Sequence, residues 1–317
     1  MHGAKLEGFK TCLIYEKRRR FYRDFHFIDE YYPYDSVEEV VDILNGLGDC
    51  VVIPHGSFVE YLGIGNIGRI KVPIFGNRKL MNWESDQKLK MGLLEASGIK
   101  IPKSFSRPEA VDRPVIVKLP GAKGGRGYFV ARDPEEVERG IQSLMERRMV
   151  KNVEDILIQE YVVGVPMYFQ LFESRVMDRI ELTGIDIRYE SNVDGLKRMP
   201  NLQGIPPSFT VVGNIPAVAR ESLLETVYDY AAKFSSTVRK KIPPGLIGPF
   251  CLESVVTEDQ EIFVFEFSGR IVAGTNLYIW GSPYSWLYWN EPMSVGRRIA
   301  REIRMALDKE MLEEVVT

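Results

Sequence analysis

The sequence predicts a mixed fold: a small α/β unit with parallel strands, followed by a larger α+β region. Three observations carry this prediction. Short β-branched runs alternate with helical patterns over residues 1–80; a strand, a glycine-rich loop and a second strand follow one another at 115–131; and strand-rich segments separated by a single long helical pattern fill most of the rest. Divisions are expected near 80 and 165, giving segments 1–80, 81–165 and 166–317.

The first segment opens with a helical pattern, HGAKLEGF, that leads into the strand TCLIY (11–15). Alternating α/β units ordinarily open on a strand, so this segment is read either as a true terminus or as following a strand missing upstream. A helix follows at Ser36–Leu47 with Ser36 as its N-cap, then the strand CVVIP (50–54) and a further piece ending in KVPIFGN (71–77). The second segment begins with a helix over 84–98 that stops at Gly98. After the glycine hairpin comes a helix from Asp133 to about Arg148, whose DPEE start places acids at the positive end of the helix dipole. ILIQEYVVG (156–164) is a strand closed by glycine. In the third segment MYFQLFE, RIELTGIDIRYES and SFTVVGN read as strands, 220–240 as a helix, GLIGPFCLESVV and EIFVFEFSGR as strands, and Ser294–Val315 as an amphipathic helix.

Composition narrows the function. The 317 residues are 45% hydrophobic and 27% charged with a net charge of −3, which suits a globular protein and argues against a general nucleic-acid binder. The run Lys17–Arg20 is either a solvated face or a phosphate-facing loop. No apolar run approaches the roughly 18 residues that span a bilayer, and the basic, polar start does not read as a signal peptide. Three widely spaced cysteines, Cys12, Cys50 and Cys251, fit buried thiols in a reducing cytoplasm rather than disulfides or a zinc cluster. Three histidines exclude a histidine-rich metal site.

The glycine hairpin is the first candidate site. VIVK ends in Lys118, and four glycines (Gly121, Gly124, Gly125, Gly127) stand in the next nine residues with Lys123 and Arg126 among them. Glycine permits positive φ and close backbone approach, its neighbouring N–H groups form an anion nest, and lysine supplies compact positive charge for phosphate. Neither Walker A nor Rossmann spacing is present, so two readings stand: a nucleotide-phosphate loop and an ordinary glycine-rich hairpin. Glu160 lies on a strand read as an edge, whose free N–H and C=O groups can bond an adenine, and reads either as an acid reaching the base or ribose or as a surface carboxylate. His55 and Ser57, in the turn after CVVIP, lie where α/β sheets bind ligands; the alternative is a helix-capping serine beside an exposed histidine.

The second candidate is a carboxylate pair. CLESVV and EIFVFEFSGR flank a turn, and with a two-residue loop at Glu258–Asp259 or Asp259–Gln260 the acids Glu253 and Glu266 share one face, as diagonal neighbours about 7–8 Å apart or directly opposite. Two carboxylates in apolar strands repel one another and resist burial. A divalent cation removes that conflict, and Mg²⁺ favours one or two carboxylates completed by phosphates and water. Ser268 and Arg270 are expected to continue along the same strand, Arg270 with the parity of Glu266.

The order of these parts, a lysine-bearing glycine hairpin, then Glu160, then the acid pair, is similar to that of ATP-grasp ligases. PHGSF, FGNR, WES, GAKGGRGYF, EYVVG, IDIRYESNVDG, VVGNIP, RESLL, PPGLIGPFCLE, IVAGTN, GSPYSWLY and RRIAREIRMAL, in this sequence, resemble the archaeal formate-dependent FAICAR synthetases (formate–AICAR ligases of the PurP type) over almost the whole chain. The resemblance implies an ATP-grasp fold preceded by a parallel α/β domain. It also implies ligation of formate to 5-aminoimidazole-4-carboxamide ribonucleotide (AICAR) through formyl phosphate, with release of ADP and phosphate, in purine (IMP) biosynthesis. Lys118, Lys123 and Gly121–Gly127 would then hold the phosphates of ATP. Glu160 with the backbone of Tyr161 and Val162 would hold adenosine, and Glu253 and Glu266 would hold Mg²⁺ or Mn²⁺. Ser57 and Asn192 would contact AICAR, with His55 and Arg188 counted in the substrate site. Lys123 and Arg270 are the expected catalytic residues, Arg270 steadying charge on the transferring phosphoryl group. A cytoplasmic homo-oligomer acting on small molecules, with no nucleic-acid or membrane partner, is expected. Departures from the family pattern are the absent first strand with its Ser-His loop, a short 198–209 loop, and Gly269 in place of alanine. Two alternatives remain: another ATP-grasp carboxylate–amine ligase, or a silent nucleotide-binding paralogue.

Overall fold

The computed structural model describes residues 1–119, 127–196 and 207–317. Helix α1 (His2–Leu6) leads into strand β1 (Cys12–Glu16), which pairs in parallel with β2 (Glu30–Tyr34). β2 was not foreseen, because its EYYPY run contains Pro33; a two-stranded sheet is all edge, where a missing N–H is tolerated. Helix α2 (Val37–Gly46) starts after Ser36 as expected, but the Ser36 hydroxyl meets the Glu39 carboxylate at 3.2 Å instead of capping the backbone. α3 (Gly63–Ile67) and α4 (Arg78–Ser85) complete the first part of the chain.

CVVIP and KVPIFGN do not form the extended strands expected of them. They meet at a single parallel bridge, Val52 with Ile74, where Val52 N–H donates to Pro73 C=O at 2.8 Å and Phe75 N–H to Val52 C=O at 2.9 Å. Pro54 and Pro73 carry no N–H, so the ladder stops there. Ile74 instead exchanges backbone hydrogen bonds with Thr317 at 3.0 and 2.9 Å.

The helix expected over 84–98 is two helices. Asp86 is extended (φ −113°, ψ 123°), and its carboxylate accepts from the N–H groups of Lys88 and Leu89 at 2.8 and 2.9 Å. It is an N-cap, so α4 ends at Ser85 and α5 (Gln87–Ala96) begins afresh. Gly98, at φ +66°, ends the segment.

A four-stranded antiparallel sheet follows, containing β3 (Ser104–Phe105), β4 (Val115–Lys118), β5 (Phe129–Ala131) and β6 (Leu157–Glu160) in the order β3-β6-β4-β5. Helix α6 (Pro134–Glu146) crosses it, capped by Asp133. The larger sheet contains β7 (Val165–Ser174), β8 (Arg179–Glu190), β9 (Val211–Pro216), β10 (Gly248–Val256) and β11 (Ile262–Ser268), all antiparallel, in the order β11-β10-β7-β8-β9. The short α7 (Val193–Leu196), then α8 (Leu224–Lys241), α9 (Pro283–Trp289) and α10 (Val295–Asp308) complete the helices. α10 ends seven residues before the expected Val315, because Glu310 turns to φ 56° and a 3₁₀ turn over Leu312–Glu314 carries the tail to Ile74.

Alternation along the large sheet separates its two faces. Leu252, Phe267, Phe169 and Ile185 are cross-strand neighbours on one face and pack with Phe234, Val227 and Ala231 of α8 in the largest core. The other face is polar. Cys251 is buried on it, as expected of these thiols, whereas Cys12 is exposed on the outward side of the small parallel sheet. Among the described residues no helix is long and apolar enough to cross a membrane.

α10 is tied to the large sheet by buried charge. Arg298 reaches Glu181 of β8 at 3.0 and 3.2 Å and Glu302 at 2.7 Å; Glu302 also accepts from Ser174 Oγ and the Val176 N–H. All three charged groups are almost fully buried, so removing one strands its partners. Glu302→Ala should lower the unfolding free energy by about 3–5 kcal/mol in a urea titration; a loss within experimental error would show that the network is solvated.

Candidate active site

The polar face of the large sheet is the floor of a cleft, and one cross-sheet row sets its chemistry. Glu266 of β11 lies opposite Glu253 of β10, Glu253 opposite Tyr168 of β7, and Tyr168 opposite Asp186 of β8. Two residues along, Ser268, Cys251 and Gln170 make a second row, and Ser268 Oγ donates to Glu253 at 3.1 Å.

The carboxylates face each other directly, by a route the sequence did not suggest. Neither even-residue loop forms. Thr257 N–H donates to Glu261 C=O at 3.0 Å, which leaves three residues in the loop with Gln260 at φ 62°. That register alone would set Glu253 against Phe265. A β-bulge at Phe265 shifts the ladder by one and brings Glu266 opposite. Burial and the charge of Glu266 push the Glu253 carboxyl up. Glu266 goes down: burial opposes its ionisation, but Lys90 and Lys118 outweigh it. Arg270 is not on the strand, which ends at Ser268; it lies in the bend beyond.

Two charged residues that sequence reading missed hold this end of β11. Lys90 Nζ lies 2.5 Å from Glu266 Oε1 and is 1% exposed. Glu84 accepts the Gly269 N–H at 3.0 Å and forms an ion pair with Arg270, whose Nη1 also reaches Ile271 C=O at 3.2 Å. A signal was present: Gln87, Lys90, Met91 and Leu94 share one helical stripe, as do Leu80, Met81 and Glu84, and all are buried. A charge on an apolar stripe marks a buried ion pair. A Cβ on Gly269 would lie 2.5 Å from Leu80 Cδ2, so alanine there requires the Leu80 side chain to shift.

Lys118, at the end of β4, is 4% exposed. It donates to Gln159 at 2.8 Å and sits 4.6 Å above the Phe265 ring. Burial lowers its pKa to about 8. Gly121, Lys123, Gly124 and Gly125 lie outside the described residues; Gly127 is at φ +82°, as the hairpin reading required of its glycines.

Glu160 ends β6, which is an inner strand of its sheet and not the edge expected of it. Its carboxylate pairs with Arg113 at 3.0 Å and accepts the Lys103 N–H at 3.1 Å. The Tyr161 N–H is committed to Pro114 C=O at 2.9 Å, so a base reading this segment meets the backbone at Val162. Gly164 then passes within 2.4 Å of Val256 C=O, measured from a Cβ built on it, which only glycine allows.

The His55–Ser57 turn reaches the same place. His55 bridges to Ile271, and a Cβ built on Gly56 would lie 3.6 Å from Arg270 Nη1. Ser57 precedes a helical turn without capping it. His55 is exposed to solvent but crowded by protein on its other sides, and that burial with the Arg270 charge lowers its pKa. Arg188 stacks 4.2 Å over Tyr168 with Nε 3.0 Å from Asp186; burial opposes its charge, but Glu253 and Asp186 hold it protonated. Asn192 is engaged locally, its Oδ1 accepting the Ser208 N–H at 2.7 Å. The cleft, about 320 Å³, is bounded by Gly56, Lys118, Glu160–Val162, Arg188, Glu253, Glu266 and Arg270; His55, Ser57 and Asn192 stand outside that inner lining.

Two packed sheets enclosing such a cleft, with facing acids on the larger and a buried lysine on the smaller, define an ATP-grasp enzyme. Solved structures share the fold. The biotin carboxylase domain of Hydrogenobacter thermophilus 2-oxoglutarate carboxylase, determined with ADP and magnesium, superposes with a TM-score of 0.68 at 15% identity, covering 94% of this chain and 66% of that one. An IMP biosynthesis protein PurP from Thermococcus kodakaraensis superposes with a TM-score of 0.80 at 35% identity, covering 99% of this chain and 95% of that one. Family models described as a protein of unknown function (DUF1246) and a domain of unknown function (DUF1297) match residues 1–105 and 136–317. Relatives from Metallosphaera sedula and Sulfurisphaera tokodaii, named 5-formaminoimidazole-4-carboxamide-1-(beta)-D-ribofuranosyl 5'-monophosphate synthetase, are 60% and 59% identical over all of this chain and 96% of theirs. The chain belongs to this FAICAR synthetase family, a family of ligases.

Lys118 supplies a pH test. Below pH 8 it is charged in both folded and unfolded states, and the folded state bears the cost of burial. Between about 8 and 10.5 the unfolded chain keeps a proton that the native state has released, so stability rises with pH. Relative to Lys118→Met, the wild type should gain up to about 3 kcal/mol across that window in urea unfolding. A pH-independent difference would mean that the ammonium is hydrated in the native state.

Proposed function

We propose that this chain is the formate-dependent ligase of its family, converting AICAR to FAICAR with ATP and releasing ADP and phosphate. The observation that carries the reading is the Glu266–Glu253 pair, directly opposed on the cleft floor and surrounded by Lys118, Arg188 and Arg270. Two opposed carboxylates, one of them driven toward protonation by burial and by the other, are a donor set that a divalent cation relieves. Glu253 and Glu266 would hold Mg²⁺, with Mn²⁺ as a substitute, and the ion would neutralise charge on the β- and γ-phosphates.

The chemistry asks the protein for position more than for a strong base. A formate oxygen attacks the γ-phosphorus and ADP departs, giving formyl phosphate. The 5-amino nitrogen of AICAR attacks the formyl carbon, loses a proton, and phosphate leaves. That amine is a weak nucleophile, because its lone pair is shared with the imidazole, so alignment and exclusion of water matter most. In this reading Lys118 and Lys123, with Gly121, Gly124, Gly125 and Gly127, hold the phosphates. Val162, with Glu160 and Tyr161, holds adenosine, and Arg270, braced by Glu84, faces the transferring phosphoryl group. His55, Ser57 and Asn192 serve the nucleotide substrate from the rim. We also carry forward divisions near residues 80 and 165, a homo-oligomeric assembly and a cytoplasmic location.

The test is ADP release with Mg²⁺ that requires both formate and AICAR. ADP release indifferent to AICAR would move the assignment to another amine acceptor, and nucleotide binding with no turnover would point to a silent paralogue. Glu266→Gln should cut turnover at least about 10²-fold with an unchanged circular dichroism spectrum; full activity in that variant would remove the metal role.

A further inference from the structure

We propose that the free edge of the Arg188 guanidinium holds the carboxylate of formate. This deepens the ligase reading and rests on it. Four observations converge on Arg188.

The first is that Arg188 is built into the floor. Asp186, two residues earlier on the same face of β8, is fully buried, accepts from Gln170 Nε2 at 2.6 Å and Asn214 Nδ2 at 2.7 Å, and lies 3.0 Å from Arg188 Nε as an ion pair. The neighbouring chain is shaped around that carboxylate: a Cβ on Gly274 would fall 2.0 Å from Asp186 Oδ1. The second is that the guanidinium is also clamped from one side, stacked 4.2 Å above Tyr168. Its plane is therefore fixed before any substrate arrives.

The third is that the fixed group is incomplete. Arg188 is 11% exposed, yet among the described residues Nε and Nη2 meet no hydrogen-bond acceptor of acceptable geometry, Nε being near Asp186 but poorly aligned. Buried donors without acceptors are costly and uncommon. Arg270, the other guanidinium at the floor, has both Nη groups engaged, with Glu84 and Ile271 C=O, and leaves only Nε without an acceptor, a single donor and not an edge. Arg188 thus has a planar donor edge left for a planar acceptor, and carboxylate is the match.

The fourth is location. Arg188 stacks on the residue directly opposite Glu253, so its edge lies about one strand spacing from the proposed metal carboxylate. The acid to be phosphorylated must lie beside the metal-bound γ-phosphoryl group. The 5′-phosphate of AICAR is the other oxyanion in the reaction, but it is at the far end of that molecule from the amine that reacts at this point.

The test uses the full chain and compares wild type with Arg188→Met and Arg188→Lys. Lysine keeps the charge and much of the stacking, so it remains informative if the methionine variant unfolds. The expected result is a KM for formate raised at least about 10²-fold in Arg188→Met, and less in Arg188→Lys, with KM for ATP and AICAR within about threefold. AICAR binding to the metal-free protein, followed by calorimetry, should be unchanged. An unchanged formate KM overturns the assignment. Weakened AICAR binding in the variants overturns it too, by giving the edge to the nucleotide's phosphate. Wild-type protein with no formate- and AICAR-dependent ADP release would instead sink the ligase reading, and the two failures are distinguishable.

Discussion

The cleft depends on strand register. Side chains alternate faces with period two, so a slip of one residue anywhere in the five strands would exchange the floor for the core. Leu252, Phe267, Phe169 and Ile185 bury against α8, and that burial fixes the parity of four strands at once. Glu266, Glu253, Tyr168 and Asp186 are consequences of the same parity. The hydrophobic face, which touches no substrate, is what aligns the acids.

Register alone does not hold charges in place, and the α4–α5 elbow supplies what it lacks. Capping by Asp86 breaks one helical pattern into two, and the break lets residues only six apart in sequence deliver opposite charges to one strand end. Glu84 braces Arg270 and the Gly269 amide; Lys90 braces Glu266. The charges at the end of β11 are thus oriented by a part of the chain that precedes the small sheet. This ties the first hundred residues to the cleft floor, as the His55–Gly56 turn ties them to its rim.

Sequence reading reached the parts of this site whose signal is local or periodic. The paired acids, the lysine at the strand end, the helix start at Asp133 and most of the large sheet follow from alternation, composition and turn chemistry. It failed where the cause is a partner distant in sequence or a missing donor. Prolines cut CVVIP and KVPIFGN down to one bridge; Glu160 was assigned to an edge, whereas β3 covers it; and the odd loop of the acid hairpin was invisible without its compensating bulge. Lys90 and Glu84 were legible in principle, as charges on apolar stripes, but their partners lie 176 and 186 residues away.

The bulge at Phe265 has a bearing on how such enzymes can be recombined. The extra residue that realigns Glu266 with Glu253 is the same residue whose ring seats Lys118 from the other sheet. One backbone irregularity therefore serves both halves of the cleft. The two sheets are not interchangeable modules: this small sheet grafted into a relative with a regular hairpin would bring its lysine to a seat that is not there. Lineages of this fold should inherit the hairpin and the lysine strand together, and a chimera divided between them would lose both at the seam.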